Sequence, residues 1–452
     1  MPNATIESPE DALERLATLL RLARAAGADA ADALFVASRG LSQAVRLGKP
    51  EILEREENRE VGLRVLIGRR QAAVASKDLS ARALQELAER AVAMARVVPE
   101  DPWCGLAEPG QVAKTWPALD LEDLAEPTPE ALLERALAAD AAAMAVPGIS
   151  NSDGAQASWG ATSIALAASN GFAGHYIRSS HAHSASVIAG SEQGMERDYD
   201  FSVAVHAAGL EPAEVVGRRA GERTVRRLGP RKVPTAKMTV VFEPRVASSL
   251  IGHLLGAING AAVARGTSFL KDRLGQPVFR PGIEIREEAL RPRGHRSRPF
   301  DAEGLATGDR ALVADGHLQS WVLDLATARQ LGLASTGNAS RGTAGPPSPA
   351  VSNISLAPGR DSAEALIGGI ERGLYVTELM GMGVNGVTGD YSRGAAGFLI
   401  ERGAIAHPVS EVTIAGNLKE MFRQLTPASD LILRTGMDAP TLAVEGMTVA
   451  GQ

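Results

Sequence analysis

A single cysteine, Cys104, is all that 452 residues contain. That count excludes an intramolecular disulfide framework and a multi-cysteine zinc site. Aromatic residues make up only 4% of the chain, against abundant alanine, glycine and arginine. No uninterrupted apolar run reaches the ~18 residues of a membrane-spanning helix. The opening MPNATIESPEDALERL lacks a charged stretch followed by an apolar one, so no secretory leader is expected there. Arginines form short clusters but no long basic tract, and the formal net charge is -6. Nucleic acid and anionic membranes are therefore poor partners, and the expected compartment is the cytoplasm. There is no G-x-S-x-G elbow and no Walker A sequence, and no histidine has another at i+4 or i+5.

What is present is ordinary globular material, 45% hydrophobic and 22% charged, long enough for two or three domains. Ser8-Pro9-Glu10-Asp11 reads as a helix start, Leu13, Leu16, Leu19 and Leu20 as its apolar stripe, and Gly27 as its stop. Strand-like segments follow, with a hairpin tip at Gly68, then a helix from Leu79 to Val97. A Pro-rich connector runs from Pro99 to Pro129 and ends at a helix capped by Thr128. Asn170-Gly171 marks a hairpin, and a helix from Glu211 to Leu228 closes the first half.

GPRKVPTAK (229–237) is the best boundary in the chain. It separates an expected N-terminal domain, 1–229, from a β-rich C-terminal domain, 237–452, with residues 230–236 as linker. In the second half Asp315-Gly316 and Glu401-Arg402-Gly403 mark hairpins, helices are expected at Val246–Val263 and Ala363–Arg372, and 333–353 is too rich in Gly, Ser and Pro to be regular. Strands and helices do not alternate regularly, which predicts an α+β fold with antiparallel strands rather than a doubly wound sheet.

Each candidate motif has a plainer reading beside it. GMGVNG (381–386) satisfies G-x-G-x-x-G, but no helix follows to receive a pyrophosphate, so tight turns explain the glycines better. His181 and His183 would share one strand face, as a metal pair requires, yet no third ligand is evident. Cys104 lies in a loop with no recognisable base. In GHLLGAINGAAVARGTSF (252–269) an apolar stripe of Leu250, Ile251, Leu254, Leu255 and Ile258 predicts a core-facing helix. His253 falls on the other side with Ser249, Gly256 and Gly260, a face open to another backbone or to a channel.

Three long segments carry a resemblance. KMTVVFEPRVASSLIGHLLGAINGAAVARGTSFLKDRLGQPVF, RPFDAEGLATGDRALVADGHLQSWVLDLATARQLGLASTGNA and GVNGVTGDYSRGAAGFLIERGAIAHPVSEVTIAGNLKEMF together resemble the TldD/TldE (PmbA) metallopeptidase family. The resemblance implies a two-domain α+β protein of cytoplasmic proteolysis. In it the TldD-type subunit carries zinc on an HExxxH helix and a C-terminal cysteine. Aligned on RGTS (265–268), the two histidine positions fall on Ile251 and Gly256 and the glutamate on Gly252, while LILRTGMDAPTLAVEGMTVAGQ has no cysteine. This chain thus resembles the TldE/PmbA subunit. The resemblance implies no catalytic or metal residue and no cofactor here, zinc in a TldD-type partner, and unfolded peptides as substrates. Homodimers are a further option for the isolated chain. The channel or partner-interface candidates are His253, Gly256, Gly260, Gly389, Asp390, Ser392, Arg393 and Gly394. Two other readings stand beside this one: a peptide-binding or regulatory module without hydrolytic role, and a hydrolase built on His181/His183 or Cys104.

Overall fold

The computed structural model describes residues 8–123, 125–191 and 194–451; residues 1–7, part of the opening read for a leader, lie outside them. In chain order the N-terminal half contains α1 (Pro9–Ala26), β1 (Ala30–Arg46), β2 (Lys49–Ile67), β3 (Arg70–Ser76), α2 (Ala81–Val97), α3 (Pro129–Met144), β4 (Ile149–Ala168), β5 (Ala173–Ser191), β6 (Gly194–Ala204) and α4 (Ala213–Arg226). The local signals operate as the sequence predicts. Ser8 and Thr128 accept backbone N–H bonds at the starts of α1 and α3, and Gly27 ends α1 at φ 105°.

The six strands form one antiparallel sheet in the order β3-β2-β1-β4-β5-β6. Odd-numbered side chains of β1 fill two cores in succession: Phe35 packs with Leu16, Leu63 and Leu87 under α1 and α2, and Leu41 with Leu132 and Val187 under α3 and α4. Alternation therefore places all four helices on one face of the sheet. The even-numbered face meets the C-terminal half at one end, where Leu34 and Leu166 join Phe172 and Phe300. Trp116 packs edge-on to Phe300 with ring centroids 4.8 Å apart.

The C-terminal half runs β7 (Ala236–Phe242), α5 (Pro244–Ala257), α6 (Gly260–Ala264), β8 (Ile285–Glu287), β9 (Arg310–Ala314), β10 (His317–Leu318), α7 (Leu325–Leu331), β11 (Ala339–Ser340), β12 (Ser348–Pro349), β13 (Ile354–Leu356), α8 (Ala363–Gly368), β14 (Arg372–Met380), β15 (Asp390–Glu401), β16 (Ala404–Asn417), α9 (Leu418–Arg423), β17 (Leu425–Pro427), β18 (Met437–Asp438) and β19 (Leu442–Ala450). One sheet has the order β16-β15-β14-β7-β19-β17, and β16 also pairs with β19, so five of its strands close on themselves. A second sheet follows β10-β9-β8-β13-β18. The fold is α+β.

Three local expectations need correction. The helix expected over 246–263 is two helices, because the chain turns at Ile258 and Asn259 restarts it by accepting the Ala261 N–H at 3.0 Å. The helix expected to reach Arg372 ends at Gly368, and Arg372 opens β14. Two pairs, β7 with β14 and β13 with β18, are parallel among otherwise antiparallel neighbours.

Candidate functional site

Helix α5 follows strand β7 directly, with Pro244 at its first turn, where a missing N–H costs nothing. Ala247, Leu250, Ile251, Leu254 and Ala257 bury one side of it. Ile251 is locked into the core, whereas Gly256 is exposed and a Cβ there would meet nothing within 4 Å. Five residues on a regular helix are about 140° apart, so the two positions face different surroundings. The donor set is equally unsuited to zinc, since isoleucine and glycine offer no ligand and Gly252 no general base. Among the described residues no group of three His, Cys, Asp or Glu side chains could hold a metal. The residues at α5 do not fit a zinc ion.

His253 is half-buried and stands edge-on to Tyr391, with ring centroids 5.7 Å apart and planes at 77°. Burial first, and Arg393 second, hold the imidazole below its ordinary pKa, while burial pushes the Tyr391 phenol up to about 12. Both rings are thus neutral near pH 7, and the adjoining Arg393 supplies the only charge of the trio. They can offer hydrogen bonds and one positive charge, but no nucleophile poised beside a base.

The structure brings only some of the predicted residues to this point. Strand alternation sends Ser392 away from Tyr391 and Arg393 to the exposed face, where its N–H donates to Gly383 O at 2.7 Å. Gly394 lies against Met380. Gly389, at φ +87°, lets the chain turn beneath Asn417, and Asp390 accepts from Thr388 Oγ1 at 2.6 Å and Asn417 Nδ2 at 3.0 Å. Those two bonds hold the Asp390 carboxyl below its usual range. Gly260 sits away from the open face of α5, because α6 restarts the helix there. A Cβ on it would come within 2.6 Å of Leu323 Cδ2.

The remaining motifs have plainer roles. Gly381–Gly386 is a turn segment leading into β15, and a Cβ on Gly383 would strike Ser392 O at 2.0 Å. His181 and His183 do share a face of β5, buried under α3, and burial lowers both pKa values. His181 Nε2 lies 3.1 Å from Asp123 Oδ2, and no metal-competent third donor joins them among the described residues. Burial and then Asp101 push the Cys104 thiol up, away from the reactive thiolate.

Sequence reasoning missed a cavity of about 450 Å³ beside the first turns of α5. Tyr199 and Phe201 of β6 form one wall, Ser248 and Tyr375 another, and Arg434 and Met437 a third. Next to it a lattice of ion pairs joins the halves. Arg223 meets Asp200 at 2.7 Å and Glu243 at 3.3 Å, Arg245 meets Asp198 at 2.8 Å, and Arg227 meets Glu378 at 2.5 Å. The signal was present as acids at i, i+2 (196, 198, 200) facing arginines at i, i+4 (219, 223, 227).

Over 97% of this chain and 96% of its own length, Metalloprotease PmbA of Escherichia coli O157:H7 is 37% identical. The chain belongs to the PmbA/TldD family. PmbA/TldA metallopeptidase models match as domain 1 at 31–95, the central domain at 122–228 and the C-terminal domain at 235–451. A PmbA homolog of Haemophilus influenzae is 34% identical over 99% of this chain and 98% of its own. Among solved structures, a Bacteroides thetaiotaomicron protein described as a candidate modulator of DNA gyrase superposes with TM-score 0.91 at 26% identity, covering 99% of this chain and 100% of its own. TldE from Thermococcus kodakarensis shares the fold, with TM-score 0.87 at 21% identity over 97% of this chain and 100% of its own.

Proposed function

We propose that this chain is the non-catalytic subunit of a heterodimeric zinc metallopeptidase that encloses and holds unfolded or extended peptides. One observation carries the reading: α5 follows β7 where the TldD-type zinc helix would stand, yet presents Ile251, Gly252 and Gly256 in place of two ligands and a base. Zinc would reside in a TldD-type partner, and this chain would complete the enclosure. No helix among the described residues is long and apolar enough to cross a membrane; the cytoplasmic setting is part of the proposal.

Two features support peptide holding. The cavity beside α5 pairs aromatic walls with Arg434, so side chains of varied kind could rest there. Away from the C-terminal half, the even-numbered sheet face carries Ser158, Gly160, Ser180, Ala182 and Ser184, leaving room beside the backbone. Elemental analysis and peptidase assays test the reading, with and without a partner bearing HExxxH. Activity should require the partner and zinc should stay with it. Stoichiometric zinc and hydrolysis by this chain alone would refute the proposal. The alternative, a regulatory peptide-binding module, predicts that no such partner co-purifies.

A further inference from the structure

The joint between the halves holds a second cavity, of about 300 Å³, between the even-numbered sheet face and segments 296–302 and 339–351. Its floor is aliphatic: Leu34 and Val36 from β1, Ile164 and Leu166 from β4. Its remaining wall carries four guanidinium groups, on Arg178, Arg296, Arg298 and Arg341, against one carboxylate, Asp301. That carboxylate is already engaged, accepting from the backbone N–H groups of Glu303 and Leu305 at 2.9 Å and of Ala339 at 3.0 Å.

Among the described residues the arginines are only partly neutralised. The Arg341 side chain is 2% exposed and donates Nη1 to Asp32, which it shares with Arg64, so one carboxylate serves two cations. Arg341 Nε and Nη2 have no hydrogen-bond partner among the described residues. Arg298 spends Nη1 and Nη2 on the carbonyls of Ala339 and Ala350, and its Nε has no hydrogen-bond partner among the described residues. Arg178 donates to the carbonyl of His295, which carries no charge. Arg296 is exposed and marks the mouth. Arg178 and Arg298 are partly buried with their bonds spent on neutral carbonyls, and Arg341 shares one carboxylate with Arg64; an entering anion would relieve the cost of that surplus positive charge.

We propose that this cavity binds a carboxylate joined to an aliphatic group, with the carboxylate on the arginine wall and the aliphatic part on the Leu34–Leu166 floor. The chemistry is that of a peptide C-terminus ending in a residue such as leucine. The choice of a peptide as its source rests on the peptide-holding reading above. The volume lies at the lower end for small-ligand sites and suits a terminal residue with its neighbour. The planar guanidinium fork suits carboxylate over a neutral amide.

Isothermal titration calorimetry on the purified full chain tests this without any peptidase assay, so it can fail independently of the partner reading. The probes are Ala-Ala-Leu as free acid, the same peptide as C-terminal amide, N-acetyl-leucine and inorganic phosphate. The free acid should bind about tenfold or more tighter than the amide, as loss of a charge-assisted bond implies. Arg296→Gln, at the exposed mouth, and Arg298→Gln should each weaken the acid severalfold, and Arg296→Gln should leave the melting temperature unchanged. Equal binding of acid and amide, or none of the acid, overturns the proposal. So does phosphate binding as tightly as the acid, because the aliphatic floor would then contribute nothing. Tighter binding of the tripeptide than of N-acetyl-leucine supports a peptide source; equal binding overturns that source in favour of a small free acid.

Discussion

Arg341, in the C-terminal half, donates to Asp32 in the first strand of the N-terminal sheet, and both side chains are almost wholly buried. Asp32 also accepts from Arg64 Nε at 2.9 Å, so a single carboxylate fastens a β2 residue and a segment from the other half of the chain. Asp32→Asn would leave two buried guanidinium groups facing a neutral amide. The expected loss is about 3–5 kcal/mol, the range for breaking a buried pair on one side. Urea unfolding of the variant and of Arg341→Met measures it, and Arg341→Met should cost less if Arg64 alone satisfies Asp32.

Glu303 gives the stability a pH dependence. Burial and then the neighbouring Asp301 push its pKa up to about 8 from an ordinary 4.5. The unfolded chain releases this proton near pH 4.5 while the folded chain keeps it, so the folded state binds more protons in between and stability falls as pH rises across that window. Glu303→Gln keeps an oxygen for the Leu325 N–H and removes the titration. The variant should therefore gain melting temperature over the parent at pH 8 and little at pH 5. A gain of equal size at both pH values would exclude this origin.

Two histidines, His183 buried and His253 half-buried, act from the other side. His183 and His253 have pKa values lowered from 6.5, chiefly by burial. Below pH 6.5 the unfolded chain takes up protons that the folded chain resists, so stability falls on acidification. A tenfold difference in proton affinity between the folded and unfolded states is worth about 1.4 kcal/mol. Urea midpoints at pH 7.5 and 5.5 should converge in His183→Asn relative to the parent.

Gly256 and Gly260 answer differently to the same change. Gly256→Ala has open space and a helical backbone, and should stabilise by up to about 1 kcal/mol through helix propensity. Gly260→Ala would press on Leu323, Thr327 and the Val322 carbonyl, all within 2.9 Å, and should cost about 1–3 kcal/mol. Thermal unfolding separates them by sign.

That contrast shows what was legible in the sequence. Caps and tight turns were, because each rests on a local bond or a local φ: Ser8, Gly27, Thr128, the Asn170-Gly171 hairpin, and Arg402 and Gly403 at φ 50° and 76°. The break after Ala257 was not, because Ile258 continues the apolar stripe and hides the cap offered by Asn259. Of the site, the absence of zinc donors on α5 could be read directly. The arginine cavity could not. RPRGHRSRPF (291–300) showed its local cluster, but Arg178 and Arg341 join it only through the packing of one half on the other.

The β1–β4 ladder has a consequence for how the chain can be divided. Fourteen residue pairs, from Asp32–Ala168 to Val45–Ala155, knit the segment matched by the first family domain to that matched by the central one. Cutting the chain in the connector between those segments would strip a long strand edge on each fragment, inviting both to mispair or aggregate. Division by sequence module and division by sheet do not coincide, and the sheet sets the smallest piece able to stand alone.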